Sequence, residues 1–257
     1  MTGADTHGDA APPTRSSKRR AVRWAALTLV CLGVIAGVMV YRARSGYAET
    51  RLLATPPTDI MQDASLVSFA NAQGAPLYAA HCASCHGADM KGNSSTGAPS
   101  LVDDVWMFGD GNIFEIERTI LFGIRTGSSK SRDVTEMPAL GQRGLLTDAE
   151  IREVIQLVLK LGGRPYREDA AAEGRRVFDN GDAACRGCHG DDGRGDNYSG
   201  ASDLTTGVWN YGGDEKALYD SIYFGRRGVC PGQYGVLTLG QIRSLAVYIY
   251  AASHPGG

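Results

Sequence analysis

The sequence has no excess of basic residues. Its 257 residues contain 26 Lys and Arg against 28 Asp and Glu, and the formal net charge at pH 7 is −2. Because nucleic-acid binding proteins neutralise phosphates with clustered cations, this balance argues against a nucleic-acid partner. Cysteine is scarce as well: the chain has six, and four of them belong to two copies of one short motif.

Charge is absent from residues 24–41. A helix of this length rises about 1.5 Å per residue and reaches roughly 27 Å, which is enough to cross the hydrocarbon core of a bilayer. Basic residues stand on both sides, with Arg15, Lys18, Arg19, Arg20 and Arg23 before the run and Arg42, Arg44 and Arg51 after it. Because more basic residues stand before the apolar run than after it, we predict that the amino terminus is cytoplasmic and that the rest of the chain is exported.

A cleaved signal peptide is the alternative for this segment, with a small-residue site at 46–48. The apolar run is longer than a signal core, and two arginines separate it from that site. We therefore predict a cytoplasmic disordered tail over 1–20, a transmembrane anchor over 21–42 and a linker over 43–70. Cys31 then lies within the bilayer as an ordinary small apolar residue.

Two five-residue segments have the pattern C-x-x-C-H: Cys82-Ala83-Ser84-Cys85-His86 and Cys185-Arg186-Gly187-Cys188-His189. The two thiols of such a motif add to the vinyl groups of one haem, and the histidine binds the iron. A zinc knuckle or a disulfide is the alternative. Zinc would need both pairs at one tetrahedral site, yet they lie about a hundred residues apart and each has its own histidine. The motifs predict two covalent haems c, attached through Cys82, Cys85, Cys185 and Cys188 and ligated by His86 and His189.

The sequence around the two motifs repeats. Counted from each histidine, Gly92 matches Gly195 and Trp106 matches Trp209. Two copies of one domain are the simplest explanation, so we predict cytochrome c domains over 71–164 and 165–257, named here repeat 1 and repeat 2.

Helical patterns recur in each repeat. Helices are predicted over 71–80 and 171–178 before the motifs, over 113–122 and 215–224 in the middle, and after the capping boxes that begin at Thr147 and Thr238. The fold class is therefore mainly α: a single N-terminal transmembrane helix followed by two tandem class I cytochrome c domains.

The sixth iron ligand in such domains is usually a methionine on the loop before the last helix. Met137, followed by proline and placed ahead of Thr147, fits that position, and we predict that it binds the first haem. A core methionine is the alternative reading, and Met90 and Met107 are the competing ligands. Met90 follows the histidine too closely, and Met107 sits in an aromatic segment.

No methionine follows Met137 in the sequence. Repeat 2 has Cys230 at the matching place, also followed by proline, so we predict a thiolate ligand that lowers the potential of the second haem. The alternatives are a free thiol beside a five-coordinate haem, or ligation by His254. A disulfide with Cys31 is excluded because that residue lies in the membrane segment.

The chain resembles the membrane-anchored dihaem subunit III of cbb3-type cytochrome c oxidases over roughly residues 50–252. The likeness is carried by segments 60–70, 97–101, 106–109, 123–127 and 137–139, and by their repeat-2 counterparts. Two positions depart from the family pattern: Cys230 replaces a methionine and Ser202 replaces the proline opposite Pro99.

This resemblance implies an electron conduit in the bacterial inner membrane, with His86, Met137 and His189 as iron ligands and with periplasmic haem domains. The implied partners are the oxidase catalytic and monohaem subunits and a soluble cytochrome c donor, and no catalytic residue is implied. Two alternatives stay open. A haem with His and Cys ligands would resemble the sites of dihaem thiosulfate dehydrogenases, and a stand-alone membrane-tethered shuttle is also compatible with the sequence.

Overall fold

The computed structural model describes residues 15–180 and 185–255, apart from the side chains of 15–22, 25 and 180. The chain divides into two compact units, Met1–Glu49 and Thr50–Gly257. The described residues form helices and isolated β-bridges, with no extended strand among them. The helices are α1 (Arg15–Ala54), α2 (Ala64–His81), α3 (Ala83–His86), α4 (Ile113–Phe122), α5 (Asp148–Leu161), α6 (Glu168–Asn180), α7 (Cys185–His189), α8 (Glu215–Phe224) and α9 (Leu239–Ser253).

The first unit contains most of α1. Within the described part of the chain, α1 is the one helix long and apolar enough to cross a membrane. Its large apolar side chains, from Trp24 to Tyr41, are exposed in the isolated chain, as side chains that contact lipid are. The predicted anchor over 21–42 lies inside this helix. Of the predicted disordered tail over 1–20, residues 1–14 lie outside the described residues and the rest belong to α1.

The interval 43–70, predicted to be a linker, is mostly helical. Helix α1 continues to Ala54, a 3₁₀ turn covers Ile60–Gln62, and α2 begins at Ala64. Leu52 and Ile60 are fully buried in the second unit. Asp63 caps α2 by accepting hydrogen bonds from two backbone N–H groups. Leu52 and Ile60 therefore pack in the first core of the second unit.

The predicted middle helices are confirmed, since α4 and α8 have the bounds that the sequence predicts. Both predicted capping boxes are also present. The side chain of Thr147 accepts from the Glu150 N–H, and Thr238 does the same for Gln241. These caps start the two closing helices, α5 and α9, and satisfy backbone donors that have no partner within a helix.

Each closing helix packs against the other repeat. Helix α9, from repeat 2, lies on α2 and α4 of repeat 1, and α5, from repeat 1, lies on α6 and α8 of repeat 2. Leu245 and Val247 of α9 are fully buried with Leu66 and Ile113 in the first core. The second core contains Ile151 and the other buried apolar residues of α5, together with Phe178, Leu204, Leu218 and Ile222.

Two equivalent glycines make these helix crossings close. A Cβ added to Gly74 would lie 2.4 Å from the Cβ of Tyr248 in α9, and one added to Gly174 would lie 2.1 Å from the carbonyl oxygen of Glu153 in α5. No side chain fits at either crossing. The two crossings are pseudo-symmetric copies of each other, each made by one helix from each repeat.

A largely buried ion pair joins the repeats at the first core. Nε of Arg243 on α9 lies 2.6 Å from a carboxylate oxygen of Glu117 on α4, with side-chain exposures of 13% and 12%. Arg152 is the equivalent of Arg243 in α5, and its guanidinium lies over the Tyr219 ring of α8. The ranges 71–164 and 165–257 therefore describe the two sequence repeats. In the folded structure, each core contains the closing helix of the opposite repeat.

The ion pair can test whether each closing helix packs on the opposite repeat, an arrangement called here the exchange of the closing helices. In a double-mutant cycle with Glu117→Gln and Arg243→Gln, the free energy of unfolding should show a coupling of about 1–3 kcal/mol, because the two charges are in contact and shielded from water. The measurement is chemical denaturation of the detergent-solubilised chain.

Arg152 provides the matched control, since it would face Glu117 if each closing helix stayed in its own repeat. The effects of Glu117→Gln and Arg152→Gln on the free energy of unfolding should add within about 0.5 kcal/mol. Coupling to Arg152 and additivity with Arg243 would contradict the exchanged arrangement.

Candidate functional site

Each C-x-x-C-H motif forms a short helix directly after a longer one. Helix α3 ends at His86 and α7 ends at His189. A glycine with positive φ follows each histidine, Gly87 at 80° and Gly190 at 74°. Glycine adopts this conformation without a steric penalty, so the chain turns away immediately after the histidine.

Both motif histidines are oriented by a backbone carbonyl. Nδ1 of His86 lies 2.9 Å from the Pro99 oxygen, and Nδ1 of His189 lies 3.0 Å from the Ser202 oxygen. Such a bond fixes the proton on Nδ1 and leaves Nε2 as the metal-binding nitrogen. Burial lowers the pKa of both histidines, and the carbonyl bond opposes it in part. The neutral form that binds iron is thus favoured, and Ser202 supplies the same carbonyl contact as Pro99.

The loop after each motif is closed by a glycine that matches between the repeats. The Gly92 N–H donates to the His86 carbonyl at 2.9 Å, and the Gly195 N–H donates to the His189 carbonyl at 2.8 Å. A Cβ at Gly92 would lie 2.6 Å from the Ala98 carbonyl oxygen, and both glycines have positive φ. The repeated glycines therefore let the loop fold back and bring its carbonyl to the histidine.

The two motifs line one continuous cavity of about 740 Å³, whose walls are mostly apolar. All four motif thiols are free of disulfides. Burial raises the pKa of Cys82 to about 11 and also raises that of Cys185. An apolar cavity, paired thiols and an oriented neutral histidine are the groups that hold a covalent haem, so the residues present fit one haem c at each motif.

Cys230 lies beside the first motif. Its N–H and carbonyl both bond to Ile124 of repeat 1, at 3.1 and 2.8 Å, and the Gln233 N–H donates to the Ile120 carbonyl. Burial raises the pKa of the Cys230 thiol, with a smaller contribution from Cys85 of the first motif. The loop that carries Cys230 is therefore fastened to the end of α4.

Met137 lies beside the second motif. Its N–H and carbonyl both bond to Arg226 of repeat 2, at 3.1 and 3.0 Å, and the Leu140 N–H donates to the Ile222 carbonyl. The Met137 side chain packs against the second core, as do Cys185 and Trp209. This loop is fastened to the end of α8 and mirrors the Cys230 loop.

The structure thus pairs the two sulfur residues with the motifs in the opposite way to the sequence prediction. Met137 was predicted at the first motif and Cys230 at the second. Each residue lies on the loop that leads into a closing helix, and the closing helices are exchanged. The loop follows its helix to the other repeat.

The competing ligands have other contacts. Met90 is buried in the first core, and its carbonyl accepts from the Leu101 N–H. The sulfur of Met107 accepts a hydrogen bond from the Asn210 amide at 2.8 Å. His254 stacks on Tyr250, with ring centroids 4.1 Å apart, and lies outside the lining of the cavity.

An arginine that the sequence analysis did not assign holds both sulfur loops. The guanidinium of Arg125 donates to the Thr135 carbonyl at 2.6 and 3.0 Å and to the Gly228 carbonyl at 3.0 Å. Its equivalent in repeat 2, Arg227, pairs with Glu136 at 2.9 Å. The signal was present in the repeat itself, which places an arginine two residues after Gly123 and Gly225 alike.

The aromatic segments also cross between the repeats. A Cβ on Gly97 would lie 2.1 Å from the Tyr211 ring, and one on Gly200 would lie 2.2 Å from the Phe108 ring. These two residues are equivalent in the repeat alignment. Only a glycine leaves room for the ring from the opposite repeat, which explains why both histidine loops contain one.

Comparison with known protein families gives a match over residues 69–158 and 169–249 to the family described as cytochrome c oxidase, cbb3-type, subunit III. The chain belongs to this family. Each matched stretch contains one haem motif, and this subunit III protein carries two haems c.

Three relatives illustrate the relationship. The cbb3-type cytochrome c oxidase subunit CcoP of Cereibacter sphaeroides is 37% identical over 78% of this chain and 67% of its own length. Subunit FixP of Bradyrhizobium diazoefficiens is 39% identical over 75% and 64%. Subunit CcoP of Rhodobacter capsulatus is 40% identical over 79% and 69%. The chain thus spans about two thirds of the length of the relatives it matches.

One difference between the two sites yields a prediction about pH. Tyr78 is buried, its hydroxyl donates to the Gly87 carbonyl at 2.6 Å, and burial raises its pKa to about 12, whereas Phe178 stands at the equivalent place. The protonated phenol is favoured in the folded state. Its contribution to the free energy of unfolding is therefore complete below about pH 10 and is lost as the pH rises to 12.

Tyr78→Phe should lower the free energy of unfolding by about 1 kcal/mol at neutral pH, because it removes one buried hydrogen bond. In this variant, the free energy of unfolding should also fall less steeply between pH 10 and 12. The measurement is denaturant unfolding at several pH values, with Tyr234→Phe, a change at an exposed residue, as the control. A variant with the unaltered alkaline decline would show that Tyr78 does not cause it.

Proposed function

We propose that this subunit relays single electrons from a soluble cytochrome c to the catalytic core of a cbb3-type oxidase. Its partners would be the oxidase catalytic and monohaem subunits. The bound haems supply the one-electron couple of iron, and the chain supplies attachment, ligands and positioning. No residue of this chain is assigned a catalytic role.

The observation that carries the proposal is the shared cavity. Both motifs, with His86 and His189, line one apolar space of about 740 Å³. Two redox groups held in one apolar space favour the passage of an electron between them over exchange with solvent. The Phe108 and Tyr211 rings, which cross between the repeats, line the same space and help to keep water out.

The proposed location is the bacterial inner membrane, with one membrane-spanning helix. The amino terminus would be cytoplasmic and both haem domains periplasmic. Support comes from the apolar length of α1 and from the arginine and lysine residues, which are more numerous before the apolar run than after it. A periplasmic position would place both haems where a soluble cytochrome c can reach them.

The first alternative is an oxidoreductase of the thiosulfate dehydrogenase type, and it depends on Cys230 alone. The family match supports the relay, because both repeats match subunit III. A stand-alone shuttle would use the same haems without the oxidase.

The relay can be tested by purifying the tagged chain from detergent-solubilised membranes. A copper-containing subunit with a high-spin haem should accompany it, and the complex should consume oxygen when a soluble reduced cytochrome c is added. Removing attachment at the second motif, with Cys185→Ala and Cys188→Ala, should reduce this donor-driven rate at least tenfold.

A small artificial reductant that reaches the oxidase core directly provides the control, and its rate should be unchanged by the two substitutions. Isolation of the chain alone would support the shuttle, and turnover of thiosulfate by the chain alone would support the enzyme. Either result would overturn the relay.

A further inference from the structure

We propose that Arg125 and Arg226 are the counter-ions of the haem propionates, and that their positive charges raise the potentials of both haems. Propionates are the carboxylate groups of a haem, and each bound haem brings them to the cavity that the two motifs share. The assignment rests on the two haems c and does not depend on the identity of the electron donor or acceptor.

The cavity lining has more positive than negative charge. Its described part contains two carboxylates, Glu115 and Glu136, and each forms an ion pair with an arginine outside the lining. The arginines of the lining are Arg125, Arg143 and Arg226, and Arg143 is exposed to water. In the described part of the chain, Arg125 and Arg226 form no ion pair with a carboxylate. These two shielded cations therefore lack a counter-charge from the protein.

Arg125 is buried where the two repeats meet. The residue is 9% exposed, and its guanidinium bonds to one carbonyl from each repeat, those of Thr135 and Gly228. A guanidinium has more N–H donors than these carbonyls accept, so donors remain for an anion in the cavity. Burial lowers the pKa of Arg125, and the Asp133 carboxylate opposes this effect. Because a buried cation without a counter-charge costs free energy, a propionate would stabilise it.

The backbone of Arg125 has a conformation that favours glycine. Its φ is 53°, and its N–H donates to the Arg132 carbonyl at 3.0 Å. A non-glycine residue is strained there and persists where its surroundings hold it. The equivalent residue, Arg227, is not among the described non-glycine residues with positive φ. Its side chain is 49% exposed and pairs with Glu136 and Asp133, so repeat 2 has an exposed, neutralised arginine at this place.

Arg226 lines the cavity from repeat 2. It is partly buried, its Nε donates to the Ser221 hydroxyl at 3.0 Å, and its guanidinium lies 4.3 Å from the centroid of the Tyr211 ring. Neither of these partners carries a negative charge. Ile124 stands at the equivalent place in repeat 1, so this cation has no counterpart there.

The rings that cross between the repeats relate the two arginines to both motifs. The Tyr211 ring, beside Arg226, lies against the loop that follows the first motif. The Phe108 ring lies against the loop that follows the second motif, and its centroid is 5.8 Å from the Arg125 guanidinium. A positive charge near a haem disfavours ferric iron, which carries one more positive charge than ferrous iron, and an apolar cavity screens this effect weakly. Both potentials should therefore depend on these charges.

The test removes the charges from the purified dihaem chain and measures both potentials by spectroelectrochemical titration. At a fixed solution potential, Arg125→Gln and Arg226→Gln should each raise the ratio of ferric to ferrous iron about three- to tenfold in at least one haem. The double variant should raise it in both. A tenfold change corresponds to a fall of about 59 mV in the potential of a one-electron couple.

Arg227→Gln is the matched control, because it removes the equivalent arginine at an exposed position. Water and salt screen that charge, so both ratios should change less than about twofold. Arg125→Lys keeps the charge and loses the forked bonds to the Thr135 and Gly228 carbonyls. It should lower the free energy of unfolding while both potentials stay close to their native values, a combination that a purely structural role of Arg125 would not produce.

Unchanged potentials in the double variant would overturn the proposal, and so would an equal fall in Arg227→Gln. If the double variant does not accumulate with two haems, an experimental structure of the native dihaem chain decides. Arg125 or Arg226 should then be the nearest cation to a propionate of each haem. Propionates that pair with other residues would refute the assignment.

Discussion

The buried contact of each closing helix with the opposite repeat is the constraint on which both haem sites depend. Helix α9 covers α2 and α4, and α5 covers α6 and α8, at crossings so close that Gly74 and Gly174 cannot carry a side chain. Apolar burial supplies most of the free energy that holds such helices together. Because the sulfur-bearing loops lead directly into these helices, the same burial decides which loop reaches which motif.

Neither repeat can then complete a site alone. Each motif supplies thiols and a histidine, and the other repeat supplies the closing helix and the loop with Met137 or Cys230. The protein surroundings of each motif are therefore completed by residues of both repeats. The arrangement also brings both motifs to one cavity. Under the proposed relay, the contacts between the repeats also set the position of one motif relative to the other.

Local sequence predicted the features that local chemistry determines. The motifs, the middle helices and the capping boxes depend on residues within a few positions of one another, and each was predicted in its place. The exchange has no local signature, because Ile151 and Ile242 occupy equivalent places and either closing helix presents an apolar face that suits either core. Long-range contacts such as that between Glu117 and Arg243 distinguish the pairings. The burial of Leu52 and Ile60 has no local signature either, since both are isolated apolar residues whose burial depends on distant helices.

The most direct test of the exchange is to cut the folded protein between the repeats while it is in its membrane. A protease site inserted after Gly163, in the turn between α5 and α6, separates the anchored half from the half that begins at Arg164. We expect the carboxy-terminal haem peptide to stay with the membrane through salt washing, because α9 remains buried in repeat 1 and α5 in repeat 2. Its release as a folded monohaem cytochrome that retains a sixth ligand would contradict the account.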